Sequence, residues 1–351
     1  MRRIKAVILV GGLGTRLRPL TYEVPKSVVP VLNRPFMEHT FAYLKHHGIE
    51  DIVLTLNYLP EMIHERFGDG ERYGIRLTYC MEKEPRGTAG AVKNAAEHLD
   101  GSFFVFNGDV FTNLDLSAMY AYHRKKKARA TISLNWVENP SAFGVVETDS
   151  DQKVQRFIEK PPPGTETTHW INAGTYILEP EILDFIPPDT HYMFEKGLFP
   201  DILNRNLPVY GYPHHGYWLD MGTPEKYFKL NQDLMLSKVD SYAFPAAQRD
   251  GVKIEKDAVV DPSAVMTPPV IIGNRSRIGR GVKIAGPAVF GQNCEIMEGA
   301  QISDSVIWDG VKIGLNTRIN QSIISSNSSI HSGMIIDNLV YTPSKTALLI
   351  Q

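Results

Sequence analysis

The chain is short of cysteine, of net charge and of long apolar runs. Cys80 and Cys294 are the only two cysteines in 351 residues, and they lie far apart. Two are too few for a disulfide framework or a zinc knuckle, so both are expected to be small core residues. The net charge is −2 at pH 7, which gives no electrostatic case for nucleic acid as a partner. The Lys125-Lys126-Lys127 run reads as the solvated end of a helix. No apolar run approaches the ~20 residues needed to span a bilayer, and no membrane partner is expected. Met1–Lys5 lead straight into a strand pattern without the apolar region of a secretory signal, so a cytoplasmic protein is expected. No Ser/His/Asp or Cys/His set stands out for covalent catalysis, and His331 is the sole histidine after residue 252.

Apolar residues at 43% and charged residues at 22% are those of an ordinary globular protein, long enough for two domains. Up to about residue 235 strand-like and helix-like segments alternate. Strands are expected at Ala6–Val10, Asp51–Leu56, Arg76–Met81, Phe103–Phe106, Ala130–Val137 and Thr175–Leu178. Helices are expected at Phe36–His47, Glu61–Phe67, Ala89–Leu99 and Ser117–Ala128. This is the pattern of an α/β, Rossmann-like, mostly parallel sheet, which binds ligands beyond the carboxyl ends of its strands.

The period then changes. Ile272, Ile278, Ile284, Phe290, Ile296 and Ile302 recur every six residues; after a five-residue step come Ile307, Ile313 and Ile319, and after another Ile324, Ile330 and Ile336. A six-residue period is neither helical nor that of a hairpin meander. It resembles the left-handed β-helix of hexapeptide-repeat proteins, with one inward aliphatic per short strand. The expected division is a catalytic-type domain over 1–240 and a β-helix over 241–351, joined through 236–251.

Chemistry concentrates in Val7-Ile8-Leu9-Val10-Gly11-Gly12-Leu13-Gly14-Thr15-Arg16. A strand enters a loop with Gly11, Gly12 and Gly14, whose backbone N–H groups can approach phosphate oxygens. Arg16 and Lys26 can neutralise the remaining charge. The dinucleotide fingerprint is absent because residue 17 is Leu, and no G-K-[ST] closes the loop as a P-loop requires. Two carboxylates end apolar segments: Asp109 in Phe104-Val105-Phe106-Asn107-Gly108-Asp109, and Asp220 in Trp218-Leu219-Asp220-Met221-Gly222-Thr223-Pro224. Each is either a local cap or a metal ligand. The cap reading is weaker for Asp220, since Thr223 and Pro224 already start a helix through Leu234. Glu159-Lys160 before Pro161 reads, on its own, as an exposed pair.

With Thr15, Arg18-Pro19-Leu20-Thr21 and Pro25-Lys26 added, the glycine loop resembles the signature of the sugar-1-phosphate nucleotidyltransferases. The resemblance covers essentially the whole chain, except that Ser27 stands where the family commonly has Pro. It implies nucleotidyl transfer from an NTP to a sugar 1-phosphate, with release of pyrophosphate. The nucleophile would be a phosphate already ionised at neutral pH, so the missing general base is consistent with it. Catalytic roles fall on Arg16, Lys26, Asp109 and Lys160. Asp109 and Asp220 would bind Mg²⁺ or Mn²⁺. Gly11, Gly12, Gly14, Thr15, Glu82, Gly87 and Thr88 would meet the nucleotide; Gly144, Glu159, Asn172 and Gly174 would meet the sugar.

Glu82 bears on the base. A carboxylate accepts from the adjacent N1–H and N2–H₂ donors of guanine, whereas uracil and thymine suit an amide better. GTP is therefore favoured, with Glu82 facing solvent as the alternative. The likeness implies mannose 1-phosphate as the sugar. Glucose 1-phosphate with UTP or dTTP, and heptose 1-phosphate with GTP, remain alternatives, as does a non-catalytic nucleotide-sugar-binding subunit. The hexapeptide tail is expected to be structural or to form a homo-oligomer.

Overall fold

The structure is a computed structural model that describes residues 4–22, 24–245 and 251–349. Met1–Arg3 and part of the 236–251 join lie outside the described residues. The chain forms two compact units: one takes the chain up to Gly12 together with Leu44–Leu219, the other Leu13–Tyr43 and the chain from Asp220 onward.

The first unit is built on a nine-stranded sheet. Its middle is parallel: Phe103–Asn107, Lys5–Leu9, Asp51–Leu56 and Arg76–Met81 lie side by side in that order. Val7 and Ile8 in the central strand are fully buried, as expected of a strand covered on both faces. Beyond Phe103–Asn107 the sheet turns antiparallel through Trp170–Leu178, Gly144–Thr148 and Val154–Glu159. The last two form a short hairpin, which allows no parallel crossover. Ala130–Trp136 also pairs with Trp170–Leu178 and carries Val209–His214 in parallel.

Register decides what gathers at the carboxyl edge. Leu9 lies opposite both Thr55 and Asn107, and Leu56 lies opposite Met81. The glycine loop after Leu9, the turn after Asn107 and Glu82 after Met81 therefore leave the sheet on the same side. The Glu82 N–H donates to the Leu56 carbonyl at 2.8 Å, which extends that ladder by one bond.

Four α-helices form where the periodicity puts them, Phe36–His46, Pro60–Phe67, Gly87–Asn94 and Leu116–Lys126, but the third stops at Asn94 rather than Leu99 and gives way to a 3₁₀ turn at Ala96–His98. The lysine run does close a helix, with Lys127 in the left-handed conformation (φ 49°). Cys80 and Cys294 are both free and buried, as expected. Among the described residues no helix is long and apolar enough to cross a membrane.

The second unit contains a parallel β-helix of three sheets. Ile272, Ile278 and Ile284 stack on Phe290, Ile296 and Ile302; these stack on Ile307, Ile313 and Ile319, and these on Ile324, Ile330 and Ile336. Three six-residue steps make one coil, and each five-residue step shortens a coil by one residue without breaking the aliphatic ladder. The stacked residues form one buried core. The helix Pro224–Met235 belongs to this unit and begins as expected: the Thr223 hydroxyl accepts the Lys226 N–H at 3.4 Å, and proline occupies the first turn.

Candidate active site

In the first unit the edge is built around Leu9. The Gly108 N–H donates to the Leu9 carbonyl at 3.0 Å. A side chain at 108 would collide with that carbonyl, so glycine is what lets the Asp109 turn sit against the start of the loop. On the other side, Glu82 approaches Gly11: a Cβ added at Gly11 would lie 3.7 Å from its Oε1. Glu82 is only 8% exposed, so the solvent-facing alternative does not hold. Its Oε2 accepts the Arg86 N–H at 3.0 Å, and Asn57 Nδ2 donates to its carbonyl at 3.1 Å. Burial pushes its carboxyl pKa up, against the pull of the Arg86 N–H and charge.

Gly87 and Thr88 open the helix beyond Glu82. The Thr88 hydroxyl accepts the Phe194 N–H at 3.0 Å and donates to Glu195 Oε2 at 3.2 Å. The Ala89 and Gly90 N–H groups donate to the Tyr192 carbonyl at 3.0 and 2.9 Å. This helix start therefore clamps the 192–195 segment.

The residues expected at the sugar gather in the same unit. Glu159 lies opposite Gly144 in the hairpin. A Cβ at 144 would come within 2.6 Å of the Phe157 ring and 2.9 Å of Glu159 Oε2. Lys160 follows in the left-handed conformation (φ 47°), its Nζ 3.8 Å from Glu159 Oε1 and largely exposed. Asn172 uses both ends of its amide internally: Nδ2 donates to Tyr176 Oη at 2.8 Å and Oδ1 accepts the Gly174 N–H at 3.0 Å. That shapes the irregularity in the strand at which Gly174 approaches Asn107; a Cβ there would lie 2.6 Å from Asn107 Nδ2.

In the second unit the loop continues from Gly14, left-handed at φ 61°. The Gly14 carbonyl accepts from the Leu17 N–H at 3.0 Å and from the Thr21 hydroxyl at 2.7 Å. Thr15 and Arg16 are exposed, as is Gly12 in the first unit. Arg16 Nη1 is 3.9 Å from Asp220 Oδ2, and Lys226 Nζ pairs with Asp220 Oδ1. Asp220, 9% exposed, thus sits between two cations and caps no helix. Lys26 begins the short 3₁₀ turn Lys26–Val28, and the neighbouring Ser27 hydroxyl is buried without a hydrogen-bond partner.

A glycine loop carrying Arg16 beside a buried aspartate now joins the signature residues. The family model described as "Nucleotidyl transferase" matches residues 5–236. The chain belongs to the sugar-1-phosphate nucleotidyltransferase family. A second model, "EIF2B subunit epsilon LbH domain", matches residues 249–346, over the β-helix. The chain is similar to a mannose-1-phosphate guanylyltransferase of Mycobacterium tuberculosis, at 37% identity over 82% of this chain and 80% of that one. It is also similar to a UTP–glucose-1-phosphate uridylyltransferase of Synechocystis, at 34% identity over 92% of this chain and 87% of that one. Among solved structures, HddC of Yersinia pseudotuberculosis complexed with GMP-PN shares 31% identity at a TM-score of 0.57, over 66% of this chain and 99% of that one.

For a nucleotidyltransferase, three further residues gain interest. Asn107 Oδ1 is buried with no hydrogen-bond partner, just before the Asp109 turn. Such an acceptor is costly unless something donates to it. Glu195 is half-buried beside Thr88, with its carboxyl raised by burial and, less strongly, by the charge of Glu159. Lys226 holds Asp220. Asn107 stood in an expected motif and was readable as a strand-end amide. Glu195 and Lys226 carried no local signal, because their partners are distant in sequence or lie across a turn.

Proposed function

We propose that the protein transfers a guanylyl group from GTP to α-D-mannose 1-phosphate, giving GDP-mannose and pyrophosphate. A phosphate oxygen of the sugar phosphate attacks the α-phosphorus of GTP, and the bond from that phosphorus to the bridging oxygen breaks. Positioning and charge neutralisation carry such a reaction. Arg16 meets the leaving pyrophosphate, Lys26 the region between transferred and leaving phosphates, and Lys160 the sugar phosphate. Glu159 accepts from sugar hydroxyls beside Gly144 and Gly174, with Asn172 holding the strand there. Gly11, Gly12, Gly14 and Thr15 cradle the triphosphate, while Gly87 and Thr88 border the base.

Asp109 and Asp220 fit a divalent cation. They are hard oxygen donors, and Mg²⁺ typically takes one or two carboxylates with phosphate oxygens and water. When bound, Mg²⁺ or Mn²⁺ would supply neutralisation of the phosphate charge. Arg16 and Lys226 would then share Asp220 with it.

The observation that carries the choice of base is the buried Glu82 carboxylate facing Gly11. The mannose-1-phosphate guanylyltransferase relative of Mycobacterium tuberculosis supports it. We place the work in the cytoplasm and expect a homo-oligomer built through the β-helix. The test is pyrophosphate release by the purified protein with each NTP and each of mannose, glucose and heptose 1-phosphates. GTP with mannose 1-phosphate should be the best pair, abolished by EDTA and restored by Mg²⁺. The uridylyltransferase relative supports UTP with glucose 1-phosphate as the second reading; that pair ranking first overturns the guanylyl choice.

A further inference from the structure

A buried polar chain within the second unit ties the β-helix to the segment that follows Lys26. Trp308, 4% exposed, lies just past the β-helix strand Val306–Ile307. Its Nε1–H donates to Tyr227 Oη at 2.8 Å, and Tyr227 Oη–H donates to the Pro30 carbonyl at 2.6 Å. Tyr227 is fully buried, and its ring meets Trp308 edge-on at 6.1 Å. Burial raises the phenol pKa far above neutral, so the hydroxyl keeps the proton it donates.

Other bonds point the same way. Asn231, one turn along from Tyr227, accepts the Leu32 N–H at 3.0 Å through Oδ1 and donates to the Tyr227 carbonyl at 3.0 Å. Asn33 Nδ2 donates to the Phe290 carbonyl of the β-helix at 2.7 Å. On the other flank of Lys26, Lys345 Nζ donates to Tyr22 Oη at 3.2 Å and lies over its ring at 4.9 Å. The loop is thus held by the β-helix both before and after Lys26. Lys226, which pairs with Asp220, immediately precedes Tyr227 in the same helix.

A merely adhesive interface needs no such chain, since apolar side chains of the same shape pack as well as a satisfied polar pair. A directional Trp–Tyr–carbonyl chain does something more: it fixes one backbone oxygen in place. That oxygen lies four residues from Lys26 and two past Val28, the end of its 3₁₀ turn, which closes as the Val29 N–H donates to the Lys26 carbonyl at 3.3 Å. We infer that Trp308, acting through Tyr227, is a positioning residue for the phosphate-handling loop, so that the β-helix sets the placement of Lys26. This rests on the nucleotidyl-transfer reading, in which Lys26 meets the triphosphate.

Trp308→Phe keeps a ring in the site and removes the donor; Tyr227→Phe removes the relay. Small misplacements of a phosphate-binding group cost rate without unfolding the protein. Each variant is expected to lose about tenfold in kcat/KM for the NTP, with KM for the sugar phosphate unchanged. The double variant should lose no more than either single one, because both break the same chain. Equal loss toward both substrates, or losses that multiply in the double variant, would show a structural role and overturn the inference. So would a folded Trp308→Phe protein with both parameters within about twofold of wild type. Where the aromatic variants do not fold, Asn33→Gly suits the left-handed backbone there (φ 62°) and removes only the Phe290 bond. It should show the same NTP-selective loss, and its absence rejects the inference. Wild-type protein in the same assay separates the two readings. A wild type inactive on every pair contradicts nucleotidyl transfer, whereas an active wild type with unaffected variants contradicts only the positioning role.

Discussion

Glu82 is buried where a strand-end carboxylate would ordinarily face water, and its neighbour Gly11 belongs to the glycine loop. Its residue type suggested a base contact; its burial could not be read, because it depends on Asn57, Arg86 and Gly11 arriving from other elements. Glu82→Gln keeps an acceptor for the Arg86 N–H but replaces one carboxylate oxygen by a donor. A bidentate base contact contributes about 1–3 kcal/mol of discrimination. GTP kcat/KM should therefore fall about 10- to 100-fold relative to UTP in steady-state assays. Glu195 offers a test of pH dependence. Burial raises its carboxyl, so the folded state binds that proton more tightly than the unfolded chain. The resulting stability is full below the unfolded pKa of about 4.3 and is lost as pH rises through the higher folded value. Glu195→Gln has no proton to lose and still accepts from Thr88. Thermal unfolding should give it the wild-type Tm near pH 4 and a higher Tm than wild type near pH 7.

Elements were legible where the local pattern was complete. Thr223-Pro224 marked a helix start that the structure bears out to the residue, since the threonine hydroxyl accepts the Lys226 N–H. Thr223→Ala should lower stability by about 1 kcal/mol in urea unfolding, with m unchanged. Thr175–Leu178 was visible as a strand, but the element runs over Trp170–Leu178. Its first half is hidden by the register shift between Asn172 and Tyr176, where an irregularity at Gly174 interrupts the alternation. The strand Val209–His214 contains Gly211 and Pro213, poor strand formers. It is held by pairing with Ala130–Trp136, which local propensity does not report. The helix Leu116–Lys126 starts at an Asp115 cap that accepts the Ala118 N–H at 2.9 Å. The apolar period alone placed that start near Ser117.

For the whole molecule, the change of period from βα alternation to six-residue steps gave both architectures, because each is written in local spacing. The five-residue steps even marked where coils shorten. The grouping of Leu13–Tyr43 with the chain after Asp220 was not legible. It is made by bonds such as Leu32 to Asn231 and Asn33 to Phe290, across about two hundred residues or more. The β-helix core predicts its own cost of disruption. Ile313, fully buried in the aliphatic ladder, should lose about 2–5 kcal/mol as Ile313→Ala, measured by denaturant unfolding. Competition measures the choice of substrate pair most directly, because products formed from a mixture report ratios of kcat/KM. The protein, with Mg²⁺, is given equal GTP, ATP, UTP, CTP and dTTP together with mannose and glucose 1-phosphates, and the nucleotide-sugars are identified by mass and chromatography. GDP-mannose should dominate the early product; UDP-glucose or dTDP-glucose in its place contradicts guanylyl transfer to mannose.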